Sequence, residues 1–243
     1  MKKQIIVTTS WDDGHKLDLK LAKLLKKYGI RGTFYISPKN REFREEDLLS
    51  DEEIIKLKRD FEIGAHTMTH PILTKISERE AFNEIIDSKK YLENLIREEV
   101  QCFCYPGGRY NKKIKELVKR TGFIRARTIK QMLTTTPVDL FELGTTIQVF
   151  PLSIRAVCGE IKFAIKNNIK LIPFMFTKDW AKIAKNTFDY VNQNGGVWHL
   201  WGHSWEIDKY NDWNKFEKVL SYISKRKNVQ YLTNYEIIWE SRK

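Results

Sequence analysis

The sequence predicts a single α/β domain folded as a (β/α) barrel, and three observations carry that expectation. Short β-branched or aromatic runs alternate with amphipathic helical stretches along the whole chain, the pattern of parallel strands joined by helices. Seven or eight such units recur, enough to build a barrel. The 243 residues, 42% apolar and 12% aromatic, suffice for one large core, and no repeat, low-complexity tract or linker divides residues 1–243.

Taken in order, strands are expected at residues 5–9, 32–36, 62–65, 101–105, 124–127, 171–176 and 197–201. Helices are expected at 18–28, 51–60, 78–97, 112–121, 154–167, 180–194 and 213–225. Two helices carry start signals: Ser50 before Asp51, Glu52 and Glu53, and Ser77 before Glu78 and Glu80. A hydroxyl there caps orphan amides while the acids favour the positive helix terminus. Gly29 and Gly122 follow helical stretches where a left-handed cap is commonly glycine. Between Lys130 and Pro151, threonines, Pro137 and Gly144 interrupt any regular period, with residues 143–149 as a further strand. A long irregular connection of this kind is often part of a binding face.

Lys and Arg exceed Asp and Glu by 43 − 31 = 12. The excess is spread over helical stretches and mixed with acids, as on a solvated surface, so no nucleic-acid partner is expected. The N-terminus lacks the apolar core of a signal peptide, and no run approaches the ~20 apolar residues needed to span a bilayer. The expectation is a cytoplasmic chain without a membrane partner. Cys102, Cys104 and Cys158 form neither a C-x-x-C pair nor an even set, so they read as reduced thiols.

Chemistry gathers in three segments. Trp11, Asp12, Asp13, Gly14 and His15 follow the first strand directly. Paired acids before Gly are common in turns, but ligands of parallel α/β folds bind beyond the carboxyl ends of strands, where this pair lies. His66 and His70 follow the third strand, and four-residue spacing lets both imidazoles reach one cation if the chain turns helically there. One Asp with two His makes a facial set with coordination positions left open, the arrangement of a catalytic metal that activates water and polarises a carbonyl. The third segment, Trp198 to Glu206, follows the last strong strand. It offers His199 and His203 as acids and tryptophans as flat faces for a sugar ring, although Trp198, Leu200 and His199 read equally well as interior residues.

Asp-Asp-Gly after the first strand, His-Thr-x-x-His after the third, Tyr-Pro-Gly after the fourth and a late histidine resemble the NodB-type polysaccharide deacetylases, carbohydrate esterase family 4. The likeness runs from Ile5 to Glu206. It implies a distorted (β/α)7-8, TIM-like barrel, a divalent cation and hydrolysis of an N-acetyl amide on an acetylated carbohydrate. Carried over by residue, Asp12 is similar to the catalytic base, Asp13, His66 and His70 to the metal ligands, and His203 to the catalytic acid, with His199 in reserve. Tyr105, Pro106 and Gly107 resemble the segment whose backbone stabilises the oxyanion, and Trp201 and Trp205 are the expected substrate faces. Zinc is the default for such a site, with cobalt or nickel as alternatives.

One departure stands out: where many members carry the arginine that orients the catalytic Asp, this chain has Cys104. Arg109, Arg125 or Arg127 could supply the guanidinium, and alternation puts Arg125 and Arg127 on the same side of one strand. Two other functions stay open: hydrolysis of a non-sugar amide or ureide by the same machinery, and a silent carbohydrate-binding protein.

Overall fold

The computed structural model describes residues 3–135, 139–151 and 177–237. Eight parallel strands are present among these: β1 (Ile5–Asp13), β2 (Thr33–Ile36), β3 (Glu62–Ala65), β4 (Cys102–Cys104), β5 (Arg125–Arg127), β6 (Ile147–Gln148), β7 (Gly196–Gly202) and β8 (Gln230–Tyr231). They lie in the order β5-β4-β3-β2-β1-β7-β6, with β8 against β1. The sheet curls round: Leu143 bridges to Arg127 of β5, while Ile147 pairs with Leu200 of β7. This is the expected distorted (β/α) barrel.

Helices α1 (Asp18–Tyr28), α2 (Asp51–Lys58), α3 (Glu78–Ile96), α4 (Lys112–Arg120), α5 (Trp180–Asn194), α6 (Ser204–Lys209) and α7 (Trp213–Ile223) pack outside it. Ser50 and Ser77 each form a full capping box with the glutamate three residues on, as their spacing predicts. Gly29 ends α1 in the left-handed conformation.

Alternation along the strands sorts two environments. Outward residues such as Val7, Trp11, Phe34, Ile63, Phe103, Ala126 and Trp198 join the helix side chains Leu21, Leu57, Ile85, Leu117 and Phe216 in one core. Truncating a fully buried member such as Phe103 to Ala costs about 3–5 kcal/mol. The inward face is polar: Thr8 bonds Asn234, Ser10 bonds His199, and Asn234 bonds the Tyr35 hydroxyl. A barrel lined this way carries ionisable groups up its axis to the mouth.

The expected strand at 143–149 shrinks to β6: Leu143 bridges to β5, and Thr145 turns its N–H to the Lys130 carbonyl before Thr146 and Ile147 reach β7. Neither α6 nor β8 was expected; both are short. The expected helix at 154–167 and strand at 171–176, with Cys158, lie outside the described residues. Cys102 and Cys104 are free and buried. Among the described residues no helix is long and apolar enough to cross a membrane.

Candidate active site

Asp12 and Asp13 end β1, and their separation begins in the backbone. Asp12 continues the inward alternation, whereas Asp13 has φ 85° and Gly14 φ 75°, so the chain turns left-handed as it leaves the sheet. Non-glycine residues there cost of order 1–3 kcal/mol and cluster where a site demands them. A side chain at Gly14 would meet Ile36 at 2.8 Å.

His66 and His70 meet by a different route from the expected helical turn. Thr67 and His70 both have positive φ, 65° and 63°, so the segment is a tight left-handed loop. It is laced internally by His70 N–H to Thr67 Oγ1 at 3.1 Å. From α3, Glu84 accepts the N–H groups of Met68 and Thr69 at 2.9 and 2.8 Å and the Thr69 hydroxyl at 2.7 Å. The loop thereby brings the two Nε2 atoms to 3.1 Å.

Asp13, His66 and His70 offer three ligand atoms all within 4.8 Å of one another. Asp13 Oδ1 lies 3.8 Å from His66 Nε2 and 3.5 Å from His70 Nε2, and it is buried with no hydrogen-bond partner. Ligand bonds near 2.1 Å in tetrahedral geometry place donor atoms about 3.4 Å apart, so the set fits a divalent cation closely. Each ligand is also oriented from behind. His66 Nδ1 faces the Cys104 carbonyl at 2.8 Å, His70 Nδ1 faces Glu42 at 2.9 Å, and Trp205 Nε1–H donates to Asp13 Oδ2 at 2.8 Å. Burial, then His70, pushes the His66 pKa down to about 4, so the imidazole is neutral and able to ligate.

Asp12, His66 and Cys104 form a second cluster of comparable span. It suits a cation poorly. Arg127 donates to both Asp12 Oδ2 and, at 3.0 Å, Cys104 Sγ, and burial pushes the Cys104 thiol well above its usual pKa.

Arg127 supplies the guanidinium that residue 104 lacks. Wholly buried, it reaches Asp12 and packs between the Trp201 and Tyr35 rings at 4.6 and 5.4 Å. Arg125 points lower in the barrel, to the Asn234 carbonyl. Burial alone would raise the Asp12 pKa, but Arg127, His66 and His203 outweigh it and hold the carboxyl below its usual value. Oδ2 is taken by Arg127, leaving Oδ1 buried without a partner.

Of the two late histidines, His203 stands at the site. Its Nε2 is 3.9 Å from Asp13 Oδ2 and its Nδ1 2.6 Å from Glu206 Oε2. Burial lowers its pKa, but Asp13, the Glu206 hydrogen bond and Asp12 prevail and raise it to about 9. His199 is an interior group between Ser10 and the Gly144 carbonyl, pushed down to about 3 by burial and Arg127.

The remaining expectations fare unevenly. Trp201 is only 4% exposed and covers Arg127, so it offers no open face to a sugar. Trp205 is partly exposed and sits edge-on to Phe43 at the mouth. The Tyr105 N–H donates to the Arg127 carbonyl at 3.4 Å, extending the β4–β5 ladder, and is thus not free for an oxyanion. Pro106 and Gly107 form a tight turn after it, with Gly107 at φ 57°. The sequence reading missed Glu42 and Glu84 and gave Glu206 no role. Glu206 was within reach of inspection, three residues past His203, whereas Glu42 lies 28 residues from its partner and only the folded chain joins them.

Over 122 residues the chain is 30% identical to the peptidoglycan-N-acetylglucosamine deacetylase of Bacillus cereus, an alignment covering 49% of this chain and 54% of that protein. The chain spans about half or less of the length of the curated relatives it matches. The fold superposes on the chitin deacetylase of the fungal pathogen Colletotrichum lindemuthianum with a TM-score of 0.62 at 14% identity, covering 97% of this chain and 89% of that one. The Streptococcus pyogenes deacetylase PplD, solved in complex with acetate, gives 0.54 at 23% identity over 62% of this chain and 68% of that one. The sequence profile described as polysaccharide deacetylase matches residues 1–126, which hold the Asp-Asp-Gly turn, both histidines and the Cys104 strand, and with more than half of its length so matched the chain belongs to the polysaccharide deacetylase family.

Proposed function

We propose that this chain is a metal-dependent hydrolase that removes N-acetyl groups from an acetylated amino-sugar carbohydrate. The observation that carries the reading is one mouth holding three groups with complementary roles. These are a three-donor cation site, a carboxylate with one oxygen fixed and one free, and opposite them a histidine anchored at Nδ1 by Glu206. The fit of the family to N-acetylated glycans supports the substrate class, since the Bacillus cereus relative is named for peptidoglycan N-acetylglucosamine and the Colletotrichum neighbour for chitin.

Asp13, His66 and His70 would hold the cation, zinc by first expectation and cobalt or nickel by second. Bound there, such an ion polarises the acyl carbonyl and lowers the pKa of water. Asp12 Oδ1, the oxygen Arg127 leaves free, accepts a proton from the attacking water. Arg127 fixes that carboxylate's orientation and keeps it ionised. His203, anchored at Nδ1 by Glu206, gives its Nε2 proton to the departing amine as the C–N bond breaks, and acetate and a free amino sugar result. Trp205 at the mouth provides the flat face against which the sugar rests.

The test is acetate release from N-acetylglucosamine oligomers by protein loaded with zinc, cobalt or nickel, run beside small acetamides. Release from the sugars with loss on chelation is expected. Metal-loaded protein that frees acetate from the acetamides alone would move the assignment to non-sugar amides, and release from neither would end the hydrolase reading.

A further inference from the structure

We propose that Glu42 sets the affinity of the Asp13, His66 and His70 site for its cation, a reading that rests on the metal centre proposed above. All three ligands are held from behind, but by unequal partners. His66 leans on a backbone carbonyl and Asp13 on a neutral indole N–H, whereas His70 Nδ1 faces a carboxylate at 2.9 Å. Glu42 is therefore the charged member of the supporting set.

Two effects follow from that contact. The carboxylate accepts the Nδ1 proton and so selects the tautomer whose Nε2 lone pair points at Asp13, 3.5 Å away. It also balances charge: a divalent cation held by one carboxylate and two neutral imidazoles keeps one net positive charge, which Glu42 cancels. An exposed carboxylate does little for folding stability, and the Glu42 side chain is 58% exposed, so its variants should fold as the wild type does.

The chain around Glu42 is built to present it. Glu42 N–H donates to Asn40 Oδ1 at 3.0 Å, an Asx-type turn that fixes the backbone two residues on. Lys39 and Arg41 donate their N–H groups to the carbonyls of Met68 and Thr69 at 2.9 and 3.4 Å. The strap 39–42 is thus bonded along its length to the loop that carries His66 and His70, while Glu84 holds that loop from the other side.

The experiment strips the protein with a chelator and titrates Zn2+ against a chromophoric competitor, for the wild type, Glu42→Gln, Glu42→Ala and the control Glu45→Gln. Glu45 is an exposed acid three residues away that makes no hydrogen bond or ion pair to His66 or His70. Loss of a supporting partner of this type weakens metal binding by about 10–100-fold. That loss is expected for Glu42→Ala, and a smaller one for Glu42→Gln, which keeps an acceptor oxygen but no charge. Glu45→Gln should match the wild type. Imidazole nitrogen shifts read the second effect: His70 should carry its proton on Nδ1 in the apo wild type and populate both tautomers in Glu42→Ala. A wild type that binds one equivalent while both Glu42 variants bind as tightly refutes the role of Glu42 alone. A wild type that binds no zinc refutes the metal centre, and the proposal with it.

Discussion

Replacing Arg127 by Met probes the ion pair beneath the proposed catalytic base. The guanidinium is fully buried, bonds Asp12 and Cys104, and lies between two aromatic rings. Met keeps much of the volume but leaves the buried Asp12 charge without its hydrogen-bonded counter-ion. Removing one partner of a buried pair costs about 3–5 kcal/mol. In a chain of this length each kcal/mol moves the Tm by about 2–4 °C, so a fall of roughly 6–20 °C is expected. Asp12→Asn alone strands the arginine and also destabilises. The double variant removes both charges and should be more stable than the two single losses predict, with a coupling near the upper end of the ~0.5–3 kcal/mol seen for contacting residues. The pH dependence has a definite sign. The folded-state pKa of Asp12 lies below its ordinary 3.8, so the pair's contribution is present above pH 3.8 and fades as pH falls through the folded value. Urea unfolding of chelator-treated protein, followed from about pH 7 downward, reads all three quantities. Additive single losses, or an Arg127→Met protein as stable as the wild type, would refute the argument.

Three further outcomes follow. His66→Ala should lose stoichiometric zinc, measured by elemental analysis of tag-free protein, whereas Asp12→Asn should retain the metal while acetate release collapses; equal occupancy in wild type and His66→Ala would overturn the ligand set. Glu206→Gln removes the negative charge on His203 Nδ1, so the alkaline limb of the kcat profile should move to lower pH, and an unmoved limb would separate Glu206 from the acid. Asp18, wholly buried, has its carboxyl pushed well above the usual value, first by burial and then, against the lowering effect of the nearby Ser204 hydroxyl, by Asp13. A raised folded-state pKa makes it a liability once pH exceeds 3.8, so Asp18→Asn should raise stability at neutral pH more than at acid pH, and an equal change at both would refute this.

Much of the barrel was legible because the strands are short, alternating and separated by capped helices. β2 and β3 fall within a residue of expectation, and Asp12, Asp13 and His66 could be placed at strand ends from sequence order alone. What stayed hidden depends on three dimensions. Spacing of four between His66 and His70 is compatible with a helix, yet positive φ at Thr67 and His70 reaches the same convergence by a loop that no periodicity marks. Strand alternation puts Trp201 on the side of His199, but does not show that a guanidinium from another strand already occupies its face. Likewise Tyr105 N–H falls to a ladder partner that its own motif does not name.

The arginine shows most clearly where sequence ends and register begins. Alternation placed Arg125 and Arg127 on one side of a strand without choosing between them. The β4–β5 pairing chooses: Cys104 stands opposite Arg127 and Cys102 opposite Arg125. Arg127 therefore sits at the height of Asp12, and Arg125 one layer lower, where it meets the Asn234 carbonyl. An arginine at residue 104 beside Arg127 would set two cations against one carboxylate in a buried space, an arrangement with one charge uncompensated. The small thiol leaves the room that the neighbouring guanidinium fills, its sulfur 3.0 Å from Nη2. Cys104 and Arg127 thus form one cross-strand arrangement, in which the guanidinium that reaches the Asp12 carboxylate comes from the position opposite residue 104 on the next strand.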